Sequence, residues 1–305
     1  MNNFQLKTPV VFIIFNRPET TKKVFEKIRQ AKPEKLLIIA DGPRKNHPED
    51  KEKCAATRKV INGVDWKCKV LKNYSNTNLG LAKRISSGLD WVFDNVNEAI
   101  ILEDDCLPNL TFFQFCKELL KKYQNDERIF AITGQNVQFG KKRTNYSYYF
   151  SRYFHCWGWA TWKRAWNHFD FDMKQWPKMK NDNYLKKILK NNRAVKYWTK
   201  IFQSCYEGKI NSWAYKWIFA GFISRSLNII PNVNLISNIG FGTESTHLKD
   251  SKNPYANMPT EKIIFPLKHP PGMMTNKKAD NFEQKTLFDP TLFARIKWKL
   301  KRILK

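Results

Sequence analysis

The chain has 305 residues, 42% of them hydrophobic and 14% aromatic, so it is long and apolar enough to bury a sizeable core and is not a disordered chain. Its apolar runs are shorter than the ~18–20 residues of a membrane-spanning helix, and its six scattered cysteines lack the C-x-x-C spacing of a zinc or redox site. Lysine and arginine number 54 against 27 acidic residues, and the net charge of +27 predicts an anionic partner: nucleic acid, acidic lipid or a phosphorylated substrate.

Strand and helix signals alternate through the first half of the chain. Continuous apolar runs at residues 10–15 and 35–40 predict strands that are buried on both faces, as in a parallel sheet. A weaker strand is expected over residues 66–71, and short apolar strands over 99–102 and 129–133. Strands that alternate with helices predict an α/β fold with a mostly parallel central sheet flanked by helices.

Acidic residues follow two of the predicted strands. Asp41 ends the second strand, and Glu103, Asp104 and Asp105 follow the strand at residues 99–102. Ligands of open α/β sheets bind beyond the carboxyl ends of the strands. Mg²⁺ and Mn²⁺ prefer oxygen ligands and are held by one or two carboxylates together with substrate phosphates and water. The pattern therefore predicts a divalent metal (Mn²⁺ or Mg²⁺) beside a nucleotide diphosphate, with a solvated acidic turn as the alternative.

Aromatic residues crowd the stretch at residues 146–166. Sugars present apolar faces that pack on aromatic rings, so this half of the chain is expected to bind an acceptor and to pack on the sheet. Trp157 and Trp159 flank Gly158, which predicts a loop and favours these two rings as acceptor-binding residues. The alternative is that the aromatic residues form part of the core.

Six segments, taken in order, resemble glycosyltransferases of the GT-A fold. The similarity covers roughly residues 8 to 247 and is closest to the N-acetylglucosaminyltransferase I type and to related bacterial nucleotide-sugar transferases. The ordered set is specific, although no single segment is. The matching segments are residues 9–17, 38–42, 82–84, 100–105, 108–113 and 157–159.

The resemblance implies a role for each matching residue of the donor site. Asp105 would ligate the metal directly, and Glu103 would support it from beside. Each position has a plain alternative as a surface charge or a turn residue. Arg17 would bind the nucleotide or its phosphates, and Asp41 would bind the base, which is expected to be uracil. Arg84 would bind the nucleotide, and Asp104 would bind the ribose or the donor sugar.

The sequence departs from the pattern of these relatives at the position of the catalytic base. The relatives carry an acid just after a tryptophan in the later half of the chain. The corresponding stretch, residues 212–217, has no acid, and Ala214 follows its tryptophan. Glu244, in a glycine-flanked loop, is the substitute candidate for the base that an inverting transfer requires. His247 in the same loop is a candidate metal ligand. The departure leaves open a homologue that binds donor but is catalytically weakened.

Three parts of the chain are expected: a donor-binding half at residues 1–140, an acceptor-binding half at 141–290, and a basic amphipathic helix at 291–305. The last eleven residues hold six basic side chains and no acid. Such a helix favours an anionic membrane surface, where each basic residue contributes ~1 kcal/mol, or alternatively docks on the domain's own acidic side. The protein is expected to be cytoplasmic, or peripheral on the inner face of the cell membrane.

Together these features predict a metal-dependent glycosyltransferase (hexosyl- or N-acetylhexosaminyl-transferase). It would move a sugar from a nucleotide-diphosphate donor, a UDP-sugar, to a glycan or lipid-linked acceptor in cell-surface polysaccharide synthesis. A nucleic-acid-binding protein would account for the charge but not for the acidic triplet, and the sequence has no helix-turn-helix, zinc-finger or RNP pattern. A sugar-1-phosphate nucleotidyltransferase would need a glycine-rich loop after the first strand, and residues 16–20 contain no glycine.

Overall fold

An eight-stranded sheet forms the centre of the structure, a computed structural model that describes residues 5–242 and 253–290. A separate two-stranded sheet lies beside it. In chain order the strands are β1 (Val10–Ile14), β2 (Lys35–Ala40), β3 (Lys69–Tyr74), β4 (Glu98–Glu103), β5 (Cys106–Pro108), β6 (Ile129–Thr133), β7 (Tyr148–Ser151), β8 (Trp159–Trp162), β9 (Leu227–Pro231) and β10 (Ile236–Asn238).

The order of strands in the large sheet is β3-β2-β1-β4-β8-β6-β9-β7. The pairs among β1, β2, β3 and β4 are parallel, as is the pair of β6 with β9. β8 lies antiparallel between β4 and β6, and β7 is antiparallel to β9. β5 pairs with β10 in the small antiparallel sheet. The expected fold class, an α/β fold with a mostly parallel central sheet flanked by helices, is confirmed.

Helices cover both faces of the large sheet. A 3₁₀ turn (Val60–Gly63) and a π-helical turn (Gln284–Phe288) complete the helical elements of the described residues. The α-helices are α1 (Pro18–Ala31), α2 (Glu49–Lys59), α3 (Leu81–Asn95), α4 (Thr111–Lys122), α5 (Lys163–Trp166), α6 (Trp176–Asn181), α7 (Tyr184–Ile188), α8 (Asn192–Tyr206), α9 (Trp213–Ile223) and α10 (Lys277–Glu283).

Alternate residues of each central strand point to opposite faces of the sheet. In β1, Val10 and Phe12 face a core that includes α1 and α4, whereas Val11 and Ile13 face a second core formed with α3, α8 and α9. The second core is rich in tryptophan and phenylalanine, as expected for the aromatic-rich half. Most of these aromatic side chains therefore pack on the sheet rather than line a cleft.

The third strand lies three residues later than the sequence predicts, over Lys69–Tyr74 instead of 66–71. Trp66 lies outside the sheet because its indole Nε1 donates a hydrogen bond to the Pro33 carbonyl oxygen over 2.8 Å. Its ring also packs on Phe25 of α1, with the ring centroids 6.0 Å apart. Packing against α1 thus displaces a residue whose type favours a strand.

The expected boundary near residue 140 falls between β6 and β7, and strands from both sides of it complete one sheet. The division into a donor half and an acceptor half stays a prediction, because it concerns the ligand that each half binds. The expected C-terminal helix at residues 291–305 lies outside the described residues. Within residues 5–242 and 253–290, no helix combines the length and the apolar character needed to span a bilayer.

Candidate functional site

The segments that follow the first four parallel strands meet at one edge of the sheet. The Phe15 backbone N–H, after β1, donates to Asp104 Oδ2, after β4, over 2.9 Å. Arg58 of α2 joins the other two strand ends, because its Nη2 donates to the carbonyl oxygens of Asp41 (3.0 Å) and Ser75 (2.7 Å). This carboxyl edge is the position at which open α/β sheets bind ligands.

Arg17 lies against the acidic triplet. Pro18 at the first helical position suits the start of α1, since proline there lacks only an N–H that would have no helical partner, and Arg17 is thereby the N-cap residue. Its Nη1 is 2.8 Å from Asp105 Oδ2 and 3.8 Å from Asp104 Oδ1. Burial alone would lower the pKa of Arg17, but Asp104 and Asp105 together raise it. The site therefore holds one half-buried cation against three acids.

The carboxyl groups of the triplet crowd one another. Burial, followed by the charges of Asp105 and Asp104, raises the pKa of Glu103 well above its usual range. Burial and the charge of Asp105 likewise raise the pKa of Asp104, and Arg17 offsets only part of each shift. A second cation at this position would relieve the remaining repulsion.

The segment after β10 covers the triplet at Gly240. The Ile239 N–H donates to the Asp105 carbonyl oxygen over 2.8 Å. A Cβ atom on Gly240 would lie 2.6 Å from Asp105 Cβ and 2.7 Å from Arg17 Nη1. Only glycine permits so close an approach. The Arg17–Asp105 pair is thus enclosed from above by backbone.

Asp41 is buried, and its carboxylate is occupied by protein donors. The backbone N–H groups of Gly42, Leu79 and Gly80 and the Asn78 Nδ2 amide all donate to it, over 2.9–3.1 Å. These four donors match the acceptor capacity of a carboxylate. The structure therefore uses Asp41 to hold the loop before α3, and its contact with a base stays a prediction.

Arg84, on the first turn of α3, is buried beside the end of β3. Its Nη2 donates to Asn73, to the carbonyl oxygen over 2.5 Å and to Oδ1 over 2.6 Å. Burial lowers the pKa of Arg84, an effect that Asp41 opposes and Arg58 reinforces. Its Nε has no hydrogen-bond partner among the residues the structure describes. The side chain is close to the Asp41 loop, and its contact with a nucleotide stays a prediction.

The two tryptophans proposed for the acceptor lie in different surroundings. Trp157 is half-buried, and its ring meets the edge of Phe241, next to Gly240, with the centroids 5.6 Å apart. Trp159 lies in β8 with 1% of its surface exposed and stacks on Trp213 at 5.5 Å. The structure therefore brings Trp157 to the segment that covers Asp105 and places Trp159 in the core.

Glu244 and His247 fall within residues 243–252, outside the described residues, so their roles as base and metal ligand stay predictions. Among residues 5–242 and 253–290, no group of three or more histidine, cysteine, aspartate or glutamate side chains is arranged to hold a metal ion. Asp104 and Asp105 nevertheless fit a Mg²⁺ or Mn²⁺ site, because such sites use one or two carboxylates and complete the shell with phosphates and water.

Three residues that build this edge were not predicted from the sequence as site residues. Asp50, which accepts hydrogen bonds from Asn16 and Arg44 at this edge, lies in a charged helix whose pattern does not distinguish it from its neighbours. Arg58 is one of several basic residues of the same helix. Gly240 carried a usable signal, since two glycines around Phe241 indicate close approach of the backbone to another group.

Comparison with known proteins gives similarity at the level of structure alone. No family model matches the chain, and no curated protein matches its sequence. A mannosyltransferase from Pyrobaculum calidifontis, solved with GDP-Man and Mn²⁺, is 12% identical, with a TM-score of 0.36 over 52% of this chain and 45% of that one.

Two further solved structures are similar over about half of the chain. A UDP-glucose pyrophosphorylase complexed with UDP-glucose is 13% identical, with a TM-score of 0.27 over 48% of this chain and 62% of that one. An inositol-1-phosphate CTP transferase from T. maritima is 10% identical, with a TM-score of 0.32 over 53% and 73%. The chain thus spans less than two thirds of the mannosyltransferase and of the pyrophosphorylase. TM-scores below 0.5 establish no shared function.

Proposed function

We propose that the protein is a metal-dependent glycosyltransferase that takes a sugar from a nucleotide-diphosphate donor, a UDP-sugar. One observation carries this proposal: Arg17, Asp104 and Asp105 are packed together under Gly240 at the carboxyl edge of the parallel strands. A cation and two carboxylates at that edge provide partners for both a diphosphate and the metal that accompanies it.

Asp105 is the proposed direct metal ligand, and Asp104 is proposed to contact the ribose or the donor sugar. Glu103 supports the pair from the end of β4. A bound Mn²⁺ or Mg²⁺ would neutralise the charge that develops on the departing diphosphate. Arg17, already aligned on Asp105, would turn one of its remaining N–H donors to a phosphate oxygen. Arg84 and the Asp41 loop are proposed to form the nucleotide side of the site.

The acceptor is proposed to be a glycan or a lipid-linked sugar that packs on Trp157, and Glu244 is proposed to take the proton from its hydroxyl. The half-buried Trp157 ring beside Phe241 supports this side of the site, since the covering segment that carries Phe241 runs on toward Glu244. A place next to an anionic inner membrane face is supported by the +27 charge. A role in cell-surface polysaccharide synthesis remains part of the proposal.

Thermal unfolding with a panel of nucleotide sugars tests the donor site. A UDP-sugar present at about 100 times its Kd stabilises the folded state by about 2.7 kcal/mol, which raises Tm by several degrees. We expect this rise only with Mn²⁺ or Mg²⁺ present. Asp105→Asn removes the proposed ligand charge and should abolish the rise. Asp126→Asn, which changes an aspartate paired with Arg128 near the start of β6, is the matched control and should keep it.

Other outcomes of the same panel identify the competing functions. An equal rise in Asp105→Asn and the wild type would refute the metal assignment. Donor binding without transfer to any of a panel of glycans would identify a weakened homologue. Nucleoside triphosphate formation from a UDP-sugar and pyrophosphate would identify a nucleotidyltransferase. Electrophoretic retention of RNA or DNA without any response to nucleotide sugars would identify a nucleic-acid-binding protein.

A further inference from the structure

A buried group of polar side chains joins the segment at residues 277–288 to the loop that carries Trp157. We call the segment, which comprises α10 and the π-helical turn, the clamp segment. Glu283, its central residue, is completely buried and lies against His155, which is 4% exposed. Neither residue belongs to the proposed donor site.

The carboxylate of Glu283 has a partner for each oxygen. Its Oε2 is 3.0 Å from His155 Nε2. Its Oε1 accepts hydrogen bonds from Gln138 Nε2 over 2.7 Å and from the Tyr149 hydroxyl over 3.5 Å. Burial of a carboxylate costs free energy unless hydrogen bonds satisfy its oxygens. Loss of the contact with His155 would leave Oε2 without that partner, so this contact holds His155 in place.

His155 lies in the seven-residue connection from β7 to β8 (residues 152–158), three residues before Gly158, and Gly158 is also fixed. Gly158 has φ +61°, and a Cβ atom there would lie 2.5 Å from Ile236 Cδ1 and 3.3 Å from Leu102 Cδ2. The Gly158 carbonyl oxygen accepts a hydrogen bond from the Gly134 N–H over 2.7 Å. Cys156 and Trp157 are therefore held between two anchored residues.

An apolar cluster also lies between the clamp segment and the Trp157 side of the site. Leu287 of the π-helical turn, Trp157 and Phe241 all pack against the buried cluster of Val137, Tyr255 and Met258. The charges of Glu103 and Asp105 both raise the pKa of the Cys156 thiol, after the larger effect of burial, so this loop lies close to the acidic triplet. The clamp segment thus supports the same loop by a buried, hydrogen-bonded carboxylate and adjoins it through an apolar cluster.

We propose that Glu283 is a positioning residue: through His155 it fixes the loop at residues 155–158 and so sets the place of Trp157 over the candidate site. This inference rests on the proposed function for its effect on catalysis, and on the geometry alone for its effect on the loop. Loss of Glu283 should leave donor binding intact. It should reduce kcat/KM for the acceptor about 10- to 100-fold, because small displacements of positioning groups have effects of this size.

Thiol labelling of Cys156 measures the loop without any need for activity. Cys68 and Cys156 are half-buried, whereas the other four cysteines are buried, so Cys68→Ser provides a background in which Cys156 is the most accessible thiol. We expect peptide-resolved maleimide labelling of Cys156 to be slow in that background. It should be several-fold faster in Glu283→Gln and faster still in Glu283→Ala.

Asp280→Asn is the matched control. Asp280 lies on the same helix and is held by the Ser151 hydroxyl over 2.7 Å and by the Arg152 N–H over 3.3 Å, but it does not contact His155. It should leave both the labelling rate and kcat/KM for the acceptor unchanged. If Glu283→Ala does not fold, Glu283→Gln, which keeps the size of the side chain, provides the comparison.

Two results would overturn the positioning role: unchanged Cys156 labelling in Glu283→Gln and Glu283→Ala, or an equal increase in Asp280→Asn, which would indicate general loosening of the segment. Failure of the proposed function would be seen separately, as absence of any donor-dependent rise in the Tm of the wild type. The labelling comparison does not depend on that rise.

Discussion

At the scale of single residues, Arg17 is the centre of the candidate site. It is the N-cap residue of α1, lies 2.8 Å from Asp105 and is covered by Gly240. A guanidinium in this position serves the structure without ligand, because it offsets part of the repulsion among the acids. It also presents further N–H donors that are suited to phosphate oxygens.

Gly240→Ala tests how closely the covering segment must approach. The added methyl group would overlap Asp105 Cβ and Arg17 Nη1, so the segment must lift or the Arg17–Asp105 pair must separate. We expect the variant to fold, since the φ angle at Gly240 is not in the left-handed region. The donor-dependent rise in Tm should fall to less than half of the wild-type value.

Gly272→Ala is the control for that change, because a Cβ atom there would meet no heavy atom within 4 Å. It should respond to donor like the wild type. A full response in Gly240→Ala would mean that the covering segment can move without loss of binding, and that enclosure of the pair is not part of the donor site.

At the scale of elements, Asp50 ties α2 to the first two strand ends. Its Oδ1 accepts from Asn16 Nδ2 over 2.7 Å, beside Arg17, and its Oδ2 accepts from Arg44 Nε over 2.6 Å. The side chain of Asp50 is completely buried. The Arg44 hydrogen bonds, more than the opposing desolvation, lower the pKa of Asp50 from 3.8 to about 2.

The lowered pKa of Asp50 predicts the pH at which this link is lost. A carboxylate with a lowered folded-state pKa stabilises the fold fully above its unfolded value of 3.8, and the contribution disappears as pH falls toward 2. Asp50→Asn should therefore lower the free energy of unfolding at pH 7 by about 1.5–3 kcal/mol, the usual range for hydrogen bonds to charged groups. The difference between variant and wild type should shrink between pH 4 and pH 3.

Urea unfolding at pH 7, 4 and 3 measures that difference. Asp65→Asn, which removes an exposed partner of Arg29, should have a smaller effect at each pH because water screens exposed ion pairs. A pH-independent difference for Asp50→Asn would show that the Asp50 charge does not stabilise the fold.

At the scale of the whole molecule, the net charge of +27 opposes compactness. Like charges repel across the surface, and salt screens them with a Debye length of about 10 Å at 0.1 M. We expect Tm to rise as NaCl increases from 20 to 500 mM. Replacement of the exposed Lys121, Lys190 and Lys285 by glutamine should make that rise smaller. A fall in Tm with salt would show that attractive pairs outweigh the repulsion.

The sequence was most informative where one residue pattern has one structural solution. Uninterrupted apolar runs placed β2 and β6 at their observed bounds, because only a strand buried on both faces needs them. The acidic triplet lies at a strand end, as predicted. The sequence did not indicate the antiparallel insertion of β8, since pairing depends on distant partners. Nor did it separate Trp157 from Trp159, because identical side chains two residues apart differ only in what surrounds them.

The sequence also did not indicate which side chains form hydrogen bonds with residues far away along the chain. Glu283 meets His155 across 128 positions, and Asp50 meets Asn16 across 34. Neither pair has a characteristic spacing. The use of Asp41 shows the same limit: its place at the end of β2 was predicted, but three of its four donors come from residues 78–80, a loop that only the fold brings near.

The position of β8 has a consequence for how the chain folds during translation. β8 lies between β4 and β6 in the sheet and ends at Trp162. β4 and β6 can therefore pair with β8 only after the ribosome has synthesised the chain as far as Trp162. A nascent chain that stops near residue 140 would leave the β4 edge unpaired and open to other chains. Translation speed across residues 140–162 should therefore govern aggregation of the nascent protein, and a ribosomal pause placed there should increase it.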